Sequence, residues 1–510
     1  MKKLLLFVFV TLTIVAQATE VSEELQKSEV SPNPNVAIYT FNYPSVTATG
    51  EPVVLSALLM AWSPTEPQAT DAIETVHIYN HHTVMANKEC PTAEAMPIDI
   101  TALSALVKGK YGAMDEDDKH FIARSILIAP DYEGYGVTKD HSHPYLAQTV
   151  TARQVIDGVK YGLQLYKKET DAQKALPFAD NWRTFGFGYS QGGAVALAVQ
   201  RYIEQNDLSN ELHYQGTLAG DGPYDLIATM SYYVQDDGNS YGVATEHHKG
   251  TTNMPMVVPM IIKGMLDSHP DMKNHQLEDY LSQQFLDTGI MEWIASKEFK
   301  INDIHEKWYK QLQEGLEAHG RTYTKEQMAE LFSSPKKDRV TGILSKLFTP
   351  GLYAYMSDPD NFITVPEEKG DAYKDLHRAL YENGVVNDWE PQHRIMFIHS
   401  KYDMVVPYGN YLSFRDAHPD GEGTLYKIDD NSFSDHVDQG TMFFMYLALV
   451  GEYGSYYKWL NEPYTPTGIQ LSHYTPITSP LWYTLDGRQL NGKPTTKGIY
   501  INNGRKIVIK

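Results

Sequence analysis

The stretch that decides the fold is RTFGFGYSQGGAVA, residues 183–196. Arg183 to Phe187 has the pattern of a buried strand, and the small residues after Ser190 open a helix. The turn between them, Gly188 to Gly192, is a GxSxG motif. A strand, a sharp turn and a helix around such a serine form a nucleophile elbow, in which the glycines admit a strained, crowded backbone. We therefore predict that Ser190 is a nucleophile rather than a structural turn serine.

A reactive serine requires a base and an acid, because its hydroxyl is a poor nucleophile until its proton is removed. In this arrangement the acid and then the histidine follow the serine along the chain. Asp403 lies just beyond the predicted strand Ile395 to Ile398, at the edge where parallel sheets carry their sites. His436 lies 33 residues further on, before a helix predicted from about Gln439 to Val450. We predict Asp403 as the acid and His436 as the base.

Two nearby residues compete for these roles. His399 is the nearest rival of His436, but it lies too close to Asp403 on the same strand end to fit the chain order. Asp435 could replace Asp403, although the side chains of adjacent residues rarely point at one another.

The tetrahedral intermediate of acyl transfer needs two N–H donors for its oxyanion. One is the backbone N–H of Gln191, which follows the nucleophile. The second is expected from a loop after an early strand, and we predict the backbone of Thr83 together with His82. The cluster His77, His81 and His82 would suggest a metal site only with a matched carboxylate or cysteine set, so we predict neither metal nor cofactor.

The wider sequence predicts the α/β fold class. Six further apolar runs predict buried strands: Val53 to Trp62, Thr75 to Tyr79, Ser125 to Ala129, Gly216 to Ala219, Ile395 to Ile398 and Thr424 to Ile428. Helical patterns lie between many of them, as in Ala152 to Tyr166 and Ala194 to Glu204. Alternating strands and helices predict a mostly parallel sheet covered on both faces.

The alternation stops between about Tyr224 and Gln392. Long amphipathic stretches dominate there, namely Gln276 to Phe285, Glu306 to Ala318, Lys325 to Phe332 and Asp371 to Asn383. We predict a helical insertion over residues 225–391 that separates the two parts of the core, residues 36–224 and 392–465. Such an insertion either roofs a site or forms a peripheral subdomain.

Charge and the N-terminal residues restrict the class of protein. The net charge of −21 argues against a nucleic-acid partner, which requires clustered Lys and Arg. Residues 1–18 combine Lys2 and Lys3, an apolar stretch from Leu4 to Val15 and the small residues of an Ala16-Gln17-Ala18 cleavage site. This is the pattern of an export signal, since the apolar stretch is shorter than the roughly 20 residues of a membrane span. Cys90 is the only cysteine, which excludes an intramolecular disulfide.

The C-terminal residues 479–510 differ from the rest. Turn pairs at residues 486–487, 491–492 and 503–504 separate short alternating runs, which predicts hairpins and a small, locally basic β module. Tyr483 to Arg488, Lys497 to Ile501 and the ending Gly504 to Lys506 resemble a C-terminal sorting domain of the type IX secretion pathway. That resemblance covers about the last thirty residues and implies the secretion machinery as a partner. The alternative is a module that packs on the enzyme for stability.

The remaining motifs resemble the secretory lipase and esterase branch of the α/β-hydrolase superfamily. They are His81-His82-Thr83 with Cys90-Pro91, Ala129 to Gly136, His143-Pro144-Tyr145, Gly188 to Gly192, Gly222 to Asp225 and the loops of Asp403 and His436. The resemblance spans about Val36 to Glu462, and the family usually carries glycine at the position of His82. It implies hydrolysis of carboxylic esters through an acyl-enzyme, with the insertion as a cap over the pocket.

Asp131, Tyr132 and Tyr189 are candidate substrate contacts. Asp131 and Tyr132 follow the strand Ser125 to Ala129 at the active edge of the sheet, although they could equally fix that loop. The residues leave the substrate open among lipid, aryl and sugar esters. They also leave open a peptidase on the same fold, because esters and amides share a tetrahedral intermediate, and a non-catalytic surface-binding protein.

If the tail is an address, a chain ending at Ser479 should keep its specific activity on a small soluble ester, because no predicted site residue lies beyond it. In the native host the shortened chain should accumulate in the periplasm, as measured by cell fractionation. Normal secretion of the shortened chain would eliminate the sorting role. A combined loss of activity and of several degrees of melting temperature would favour the packing role.

Overall fold

The structure is a computed structural model that describes residues 20–28, 34–93, 100, 103, 124–336, 339–448, 452–462, 482–484, 489–490, 494–502 and 505–509. The chain divides into two compact units, Met1–Tyr464 and Thr465–Lys510. The predicted export signal, residues 1–18, lies outside the described residues. None of the helices found in the described residues has both the length and the apolar character of a membrane span.

The strands of the first unit follow one another along the chain in three groups. The first group is β1 (Gln26–Lys27), β2 (Val36–Val46), β3 (Pro52–Trp62), β4 (Ile73–Asn80), β5 (Ser125–Pro130), β6 (Phe178–Tyr189) and β7 (Tyr214–Gly220). The second is β8 (Thr251–Thr252), β9 (Leu316–Ala318), β10 (Arg321–Tyr323), β11 (Phe332–Lys336) and β12 (Arg339–Ile343). The third is β13 (Arg394–Ile398) and β14 (Tyr426–Asp429).

The first and third groups form a nine-stranded sheet in the order β1-β2-β3-β5-β4-β6-β7-β13-β14. Strands β5, β4, β6, β7, β13 and β14 run parallel, whereas β1, β2 and β3 pair antiparallel at one side. The carboxyl ends of β4, β6, β7 and β13 therefore meet at one edge. The prediction of a mostly parallel sheet is confirmed, and each of the seven predicted strands overlaps a strand of this sheet. Strand β2 was not predicted.

Helices flank this sheet and complete the hydrophobic core. They span Gln148–Asp171, Gln191–Gln205, Gly409–Ala417, His436–Ala448 and Glu452–Asn461. Small residues allow the first of these helices to pack closely on β2: a Cβ added at Gly158 would lie 2.8 Å from the ring of Tyr43, and one at Gly162 would lie 2.7 Å from that of Phe41. The core consists of the side chains that the sheet and these helices bury between them.

The residues between β7 and β13 build a second hydrophobic cluster. Their helices are Leu226–Gln235, Val257–Ser268, Gln283–Leu286, Ile290–Ser296, Ile301–Glu314, Lys325–Leu331, Leu344–Leu347, Pro350–Ser357 and Ala372–Asn383. The helix predicted over Gln276 to Phe285 is wrong as a continuous element, because Leu281 bridges Phe348 between two short helical turns. The helix predicted to reach Ala318 ends at Glu314, since Leu316–Ala318 pairs with β10 instead.

This insertion packs on loops at the carboxyl edge of the sheet. The hydroxyl of Tyr233 donates to the carbonyl oxygen of Val405, two residues beyond Asp403. A Cβ at Gly264 would lie 2.1 Å from the carbonyl oxygen of Tyr145, so that helix touches the loop without an intervening side chain. The backbone N–H of Asn87 donates to Lys297 at 2.8 Å. The insertion thus contacts three loops of the core.

The second unit contains four short strands: β15 (Trp482–Thr484), β16 (Gln489–Leu490), β17 (Gly498–Asn502) and β18 (Arg505–Ile509). They form an antiparallel sheet in the order β16-β15-β17-β18. The predicted turn pairs at residues 486–487, 491–492 and 503–504 lie outside the described residues. The sorting role of this unit stays a prediction.

Glu204 connects the helix Gln191–Gln205 to the segment that leads into β13. Its buried carboxylate accepts the indole N–H of Trp389 at 2.7 Å, the backbone N–H of Gln392 at 3.0 Å and two N–H groups of His393 at 2.8 and 2.9 Å. The side-chain amide of Gln200 donates to it at 3.0 Å. This contact fixes the end of the helix Gln191–Gln205 relative to the start of β13.

Glu204→Gln should lower the free energy of unfolding by about 2–3 kcal/mol, because the amide NH₂ would face buried N–H donors. Thermal melts of the purified protein measure this loss. Glu211→Gln is the matched control, since Glu211 is exposed, forms a surface ion pair with Lys160 and should change stability by about 0.5 kcal/mol or less. Equal melting temperatures for the two variants would contradict the role of Glu204.

Candidate active site

Ser190 occupies a strained turn between β6 and the helix Gln191–Gln205. Its φ of 58° lies in the left-handed region, which residues other than glycine seldom adopt. Two close backbone contacts impose this conformation. A Cβ at Gly192 would lie 2.0 Å from the carbonyl oxygen of Asn80, and one at Gly188 would lie 2.3 Å from that of Gly192. The turn therefore takes the geometry expected of a nucleophile elbow.

The structure brings together the three side chains predicted as nucleophile, base and acid. The Ser190 Oγ lies 2.8 Å from the His436 Nε2, in position to donate its proton to that nitrogen. The His436 Nδ1 lies 2.5 Å from the Asp403 Oδ2, the distance of a strong N–H···carboxylate bond. All three side chains are buried, with relative exposures of 9% for Ser190, 5% for His436 and 1% for Asp403.

Backbone groups hold the acid and the histidine in place. The Asp403 Oδ1 accepts the N–H groups of Val405 and Val406, each at 2.8 Å. The hydroxyl of Tyr189 donates to the carbonyl oxygen of His436 at 2.6 Å. The helix that was predicted from about Gln439 begins at His436 itself, so the imidazole projects from the first residue of a helix. Tyr189, predicted as a substrate contact, thus holds the backbone of His436 in place.

The two rivals occupy other positions. The Nε2 of His399 donates to the carbonyl oxygen of Val406 at 2.9 Å, and burial lowers the pKa of His399 to about 4. The Asp435 carboxylate accepts the N–H of Asp438 at 3.2 Å, as an N-cap does, while Asp403 is the acid that bonds the imidazole.

The predicted oxyanion donors lie on two elements that meet at Ser190. Gln191 is the first residue of its helix, where backbone N–H groups lack partners within the helix. Thr83 is buried, and its hydroxyl lies 2.9 Å from that of Tyr145. His82 is half-buried, and its carbonyl oxygen accepts the Nδ1–H of His81 at 2.7 Å. The hydrogen bonds of Thr83 and His81 fix the conformation of this loop.

His143 was not predicted as a site residue, although it contacts the side chain of Gln191. Its Nδ1–H donates to the carbonyl oxygen of Glu133 at 2.7 Å, so its Nε2 accepts the Gln191 amide at 3.0 Å. Burial lowers the pKa of His143 to about 3, and the ring is therefore neutral. This neutral histidine orients the side chain of Gln191, the predicted oxyanion donor, without adding charge.

The contacts of Asp131 and Tyr132 favour the alternative in which they fix their loop. The Asp131 carboxylate is fully buried and accepts the hydroxyl of Ser56 at 2.5 Å and the backbone N–H of Thr92 at 2.9 Å. Burial raises the pKa of Asp131 to about 6. The ring of Tyr132 stacks on His81 with ring centroids 3.9 Å apart, and so supports the loop that carries Thr83.

The histidines at positions 77, 81 and 82, which are close in sequence, have side chains in different environments. His77 lies within β4, buried beside the rings of Phe185 and Phe187. Both ring nitrogens of His81 face carbonyl oxygens, those of His82 and Asp131, which are hydrogen-bond acceptors rather than metal ions. Cys90 is buried as a small apolar side chain, and burial raises the pKa of its thiol.

Comparison with known proteins shows the fold. The sequence matches no protein-family model and none of the curated proteins. The rice cell wall degrading esterase LipA from Xanthomonas oryzae is 19% identical over 81% of this chain and 87% of its own, with a TM-score of 0.52. A Legionella pneumophila protein is 16% identical over 84% and 91% of the two chains, with a TM-score of 0.53. Candida antarctica lipase A is 13% identical over 81% and 77%, with a TM-score of 0.50. The chain therefore has the α/β-hydrolase fold.

Gly192→Ala should prevent the elbow from forming, because its Cβ cannot share space with the carbonyl oxygen of Asn80. We expect loss of soluble protein or a fall in melting temperature well beyond that of the control. Gly50→Ala is that control, since its positive φ of 86° opposes alanine at a cost of about 1 kcal/mol while nothing lies within 4 Å of the new Cβ. A Gly192→Ala variant as stable as Gly50→Ala would contradict the close contact.

Proposed function

We propose that this chain is an exported serine hydrolase that cleaves carboxylic esters through an acyl-enzyme. The observation that carries the proposal is the continuous hydrogen-bonded array of Ser190, His436 and Asp403, with separations of 2.8 and 2.5 Å. The array stands on an elbow at the carboxyl edge of a parallel sheet, the edge where such folds place their chemistry.

In the proposed reaction Ser190 Oγ attacks the ester carbonyl carbon while His436 Nε2 takes the hydroxyl proton. Asp403 holds the Nδ1–H tautomer and stabilises the imidazolium that forms. The carbonyl oxygen becomes an oxyanion that accepts backbone N–H groups, and Gln191 and Thr83 are the proposed donors, with His82 beside them. The intermediate collapses as His436 returns the proton to the departing alcohol. Water then repeats the attack on the acyl-enzyme and releases the acid.

The helix Gln191–Gln205 supports the same step electrostatically. Its N-terminus carries partial positive charge, which favours negative charge developing beside Ser190. This stabilisation needs neither metal nor cofactor, because every group in the proposed steps belongs to the chain itself.

Esters are proposed as substrates because two of the solved structures that share the fold are an esterase and a lipase. Export is proposed from residues 1–18, with sorting by residues 479–510. The Xanthomonas oryzae protein is described as degrading the rice cell wall, a setting outside the cell. This agrees with export of the present chain.

Ser190→Ala and His436→Ala should reduce ester hydrolysis by about 10⁵-fold or to background, whereas Asp403→Asn should leave more activity, about 10⁴-fold below the native enzyme. The measurement is kcat/KM on p-nitrophenyl esters of increasing acyl length, with matched p-nitroanilides of the same acids. His248→Ala, at an exposed histidine, and Asp435→Asn, beside the base, are the controls and should stay within about threefold.

Three outcomes would contradict parts of this proposal. Activity of cleanly purified Ser190→Ala near the native level would exclude the nucleophile. An inactive Asp435→Asn with an active Asp403→Asn would move the acid to its neighbour. Faster cleavage of the anilides than of the esters would replace the esterase with a peptidase on the same fold.

A further inference from the structure

Asp221 lies beside the array although the proposed reaction does not use it. It follows the last residue of β7 with a φ of 33°, a conformation strained for a residue other than glycine, and it is fully buried. Its backbone N–H donates to the carbonyl oxygen of Ile398 at 2.8 Å, and its Oδ1 accepts the N–H of Ser400 at 2.9 Å. Asp221 is thereby fixed to the strand end that carries Asp403.

The carboxyl group of Asp221 lies close to that of Asp403. Oδ2 is buried and accepts from no N–H or O–H group in the described part of the chain. Oxygens of Asp221 and Asp403 and a ring nitrogen of His399 lie within 4.8 Å of one another. Two ionised carboxylates this close in a buried site would repel strongly, so one of them keeps its proton.

The surrounding groups decide which of the two acids is neutral. Asp403 accepts three N–H donors, from Val405, Val406 and His436, and these stabilise a carboxylate. In the described part of the chain, Asp221 accepts a single N–H donor, that of Ser400. Burial, reinforced by the Asp403 charge, raises the pKa of Asp221 well above its usual range.

The other titratable groups around Asp221 supply no compensating cation. They are His399, which burial keeps neutral, and the buried hydroxyls of Tyr189 and Tyr224, whose pKa values burial raises. Within the described residues, the ion pairs of Asp221 include no lysine or arginine. The nearest group that gains positive charge is therefore His436, during the reaction itself.

We propose that Asp221 is a positioning residue that remains a neutral carboxylic acid and donates its Oδ2–H to the carboxylate of Asp403. This inference rests on the proposed function of Asp403. The Asp221 hydroxyl would be the fourth donor to Asp403 and would hold the plane of its carboxylate toward His436. Because Asp221 is neutral, it places no second negative charge near the imidazole. His436 then keeps the orientation in which it takes the serine proton and returns it to the leaving group.

A cation held by Asp221, His399 and Asp403 is the competing interpretation of this cluster. The contacts oppose it, because His399 Nε2 donates its proton to Val406 and both Asp403 oxygens already accept N–H donors. A buried cation would also withdraw Asp403 from His436. A bound cation is therefore one of the outcomes that the experiment distinguishes.

The test compares Asp221→Asn with Asp221→Leu in the full chain. Asparagine keeps the shape and the donor, because its Oδ1 can accept from Ser400 while its NH₂ donates to Asp403; leucine removes the donor. We expect Asn to retain a third or more of native kcat and Leu to lose tenfold or more at unchanged KM on a soluble ester. The acid limb of the pH profile, which reports His436, should stay in place for Asn and move to higher pH for Leu, because an Asp403 without that donor stabilises the imidazolium more.

The opposite pattern would overturn the proposal. An ionised Asp221 would stabilise the imidazolium, so its replacement by Asn would move the acid limb to lower pH and lower kcat as much as Leu does. Loss of native activity with a chelator, restored by a divalent cation, would also overturn it in favour of a bound metal.

A stability measurement separates this inference from the proposed function, because it needs no substrate. A carboxyl whose pKa is raised in the folded state loses its contribution to stability as the pH rises from about 4 toward that raised value. Asn cannot ionise, so its melting temperature relative to native should increase from pH 5 to pH 8. A difference that stays constant over this range would overturn the neutral acid, whereas an inactive native enzyme with the expected melting curves would count only against the proposed function.

Discussion

The close contact between the helix Gln191–Gln205 and the end of strand β4 is the constraint on which the site depends. The backbones meet where a Cβ at Gly192 would lie 2.0 Å from the carbonyl oxygen of Asn80. This contact fixes the turn at Ser190 and also the start of the loop that carries Thr83. Ser190 and the proposed oxyanion donors are therefore held relative to each other by backbone packing rather than by side-chain rotamers, which relax more easily.

The buried acids of this structure differ in the number of hydrogen bonds that each carboxyl group accepts. Glu204 and Asp403 each accept several N–H groups, and each anchors a neighbouring group, Glu204 the segment before β13 and Asp403 the ring of His436. Asp131 accepts two hydroxyl groups and one backbone N–H, and burial raises its pKa to about 6. Asp221 accepts one N–H and has another carboxylate beside it. Because a buried acid with few donors favours its neutral form, several carboxyl groups can lie near His436 without all of them being charged.

Sequence reasoning identified the parts of this fold that local patterns specify. Buried strands and the elbow at Ser190 have strong local signals, and the chain order then located Asp403 and His436, which the structure brings together. Strand β2 was missed because Thr40, Asn42 and Pro44 interrupt its apolar run, although the structure buries most of its residues. The helix over residues 276–285 was overestimated, since the pairing of Leu281 with a distant residue overrides local propensity. Asp221 was missed because its role depends on three strand ends meeting, although its place after a buried strand was a usable signal.

Covalent labelling of the native protein tests most directly whether Ser190 is an activated nucleophile. A fluorophosphonate reacts with a serine whose proton is taken by a neighbouring base, so the adduct marks activation rather than exposure alone. Intact mass followed by peptide mapping after brief treatment at neutral pH should show one added phosphonyl group, on the peptide that contains Ser190. A folded protein that acquires no adduct, or acquires it on another serine, would contradict this account of the site.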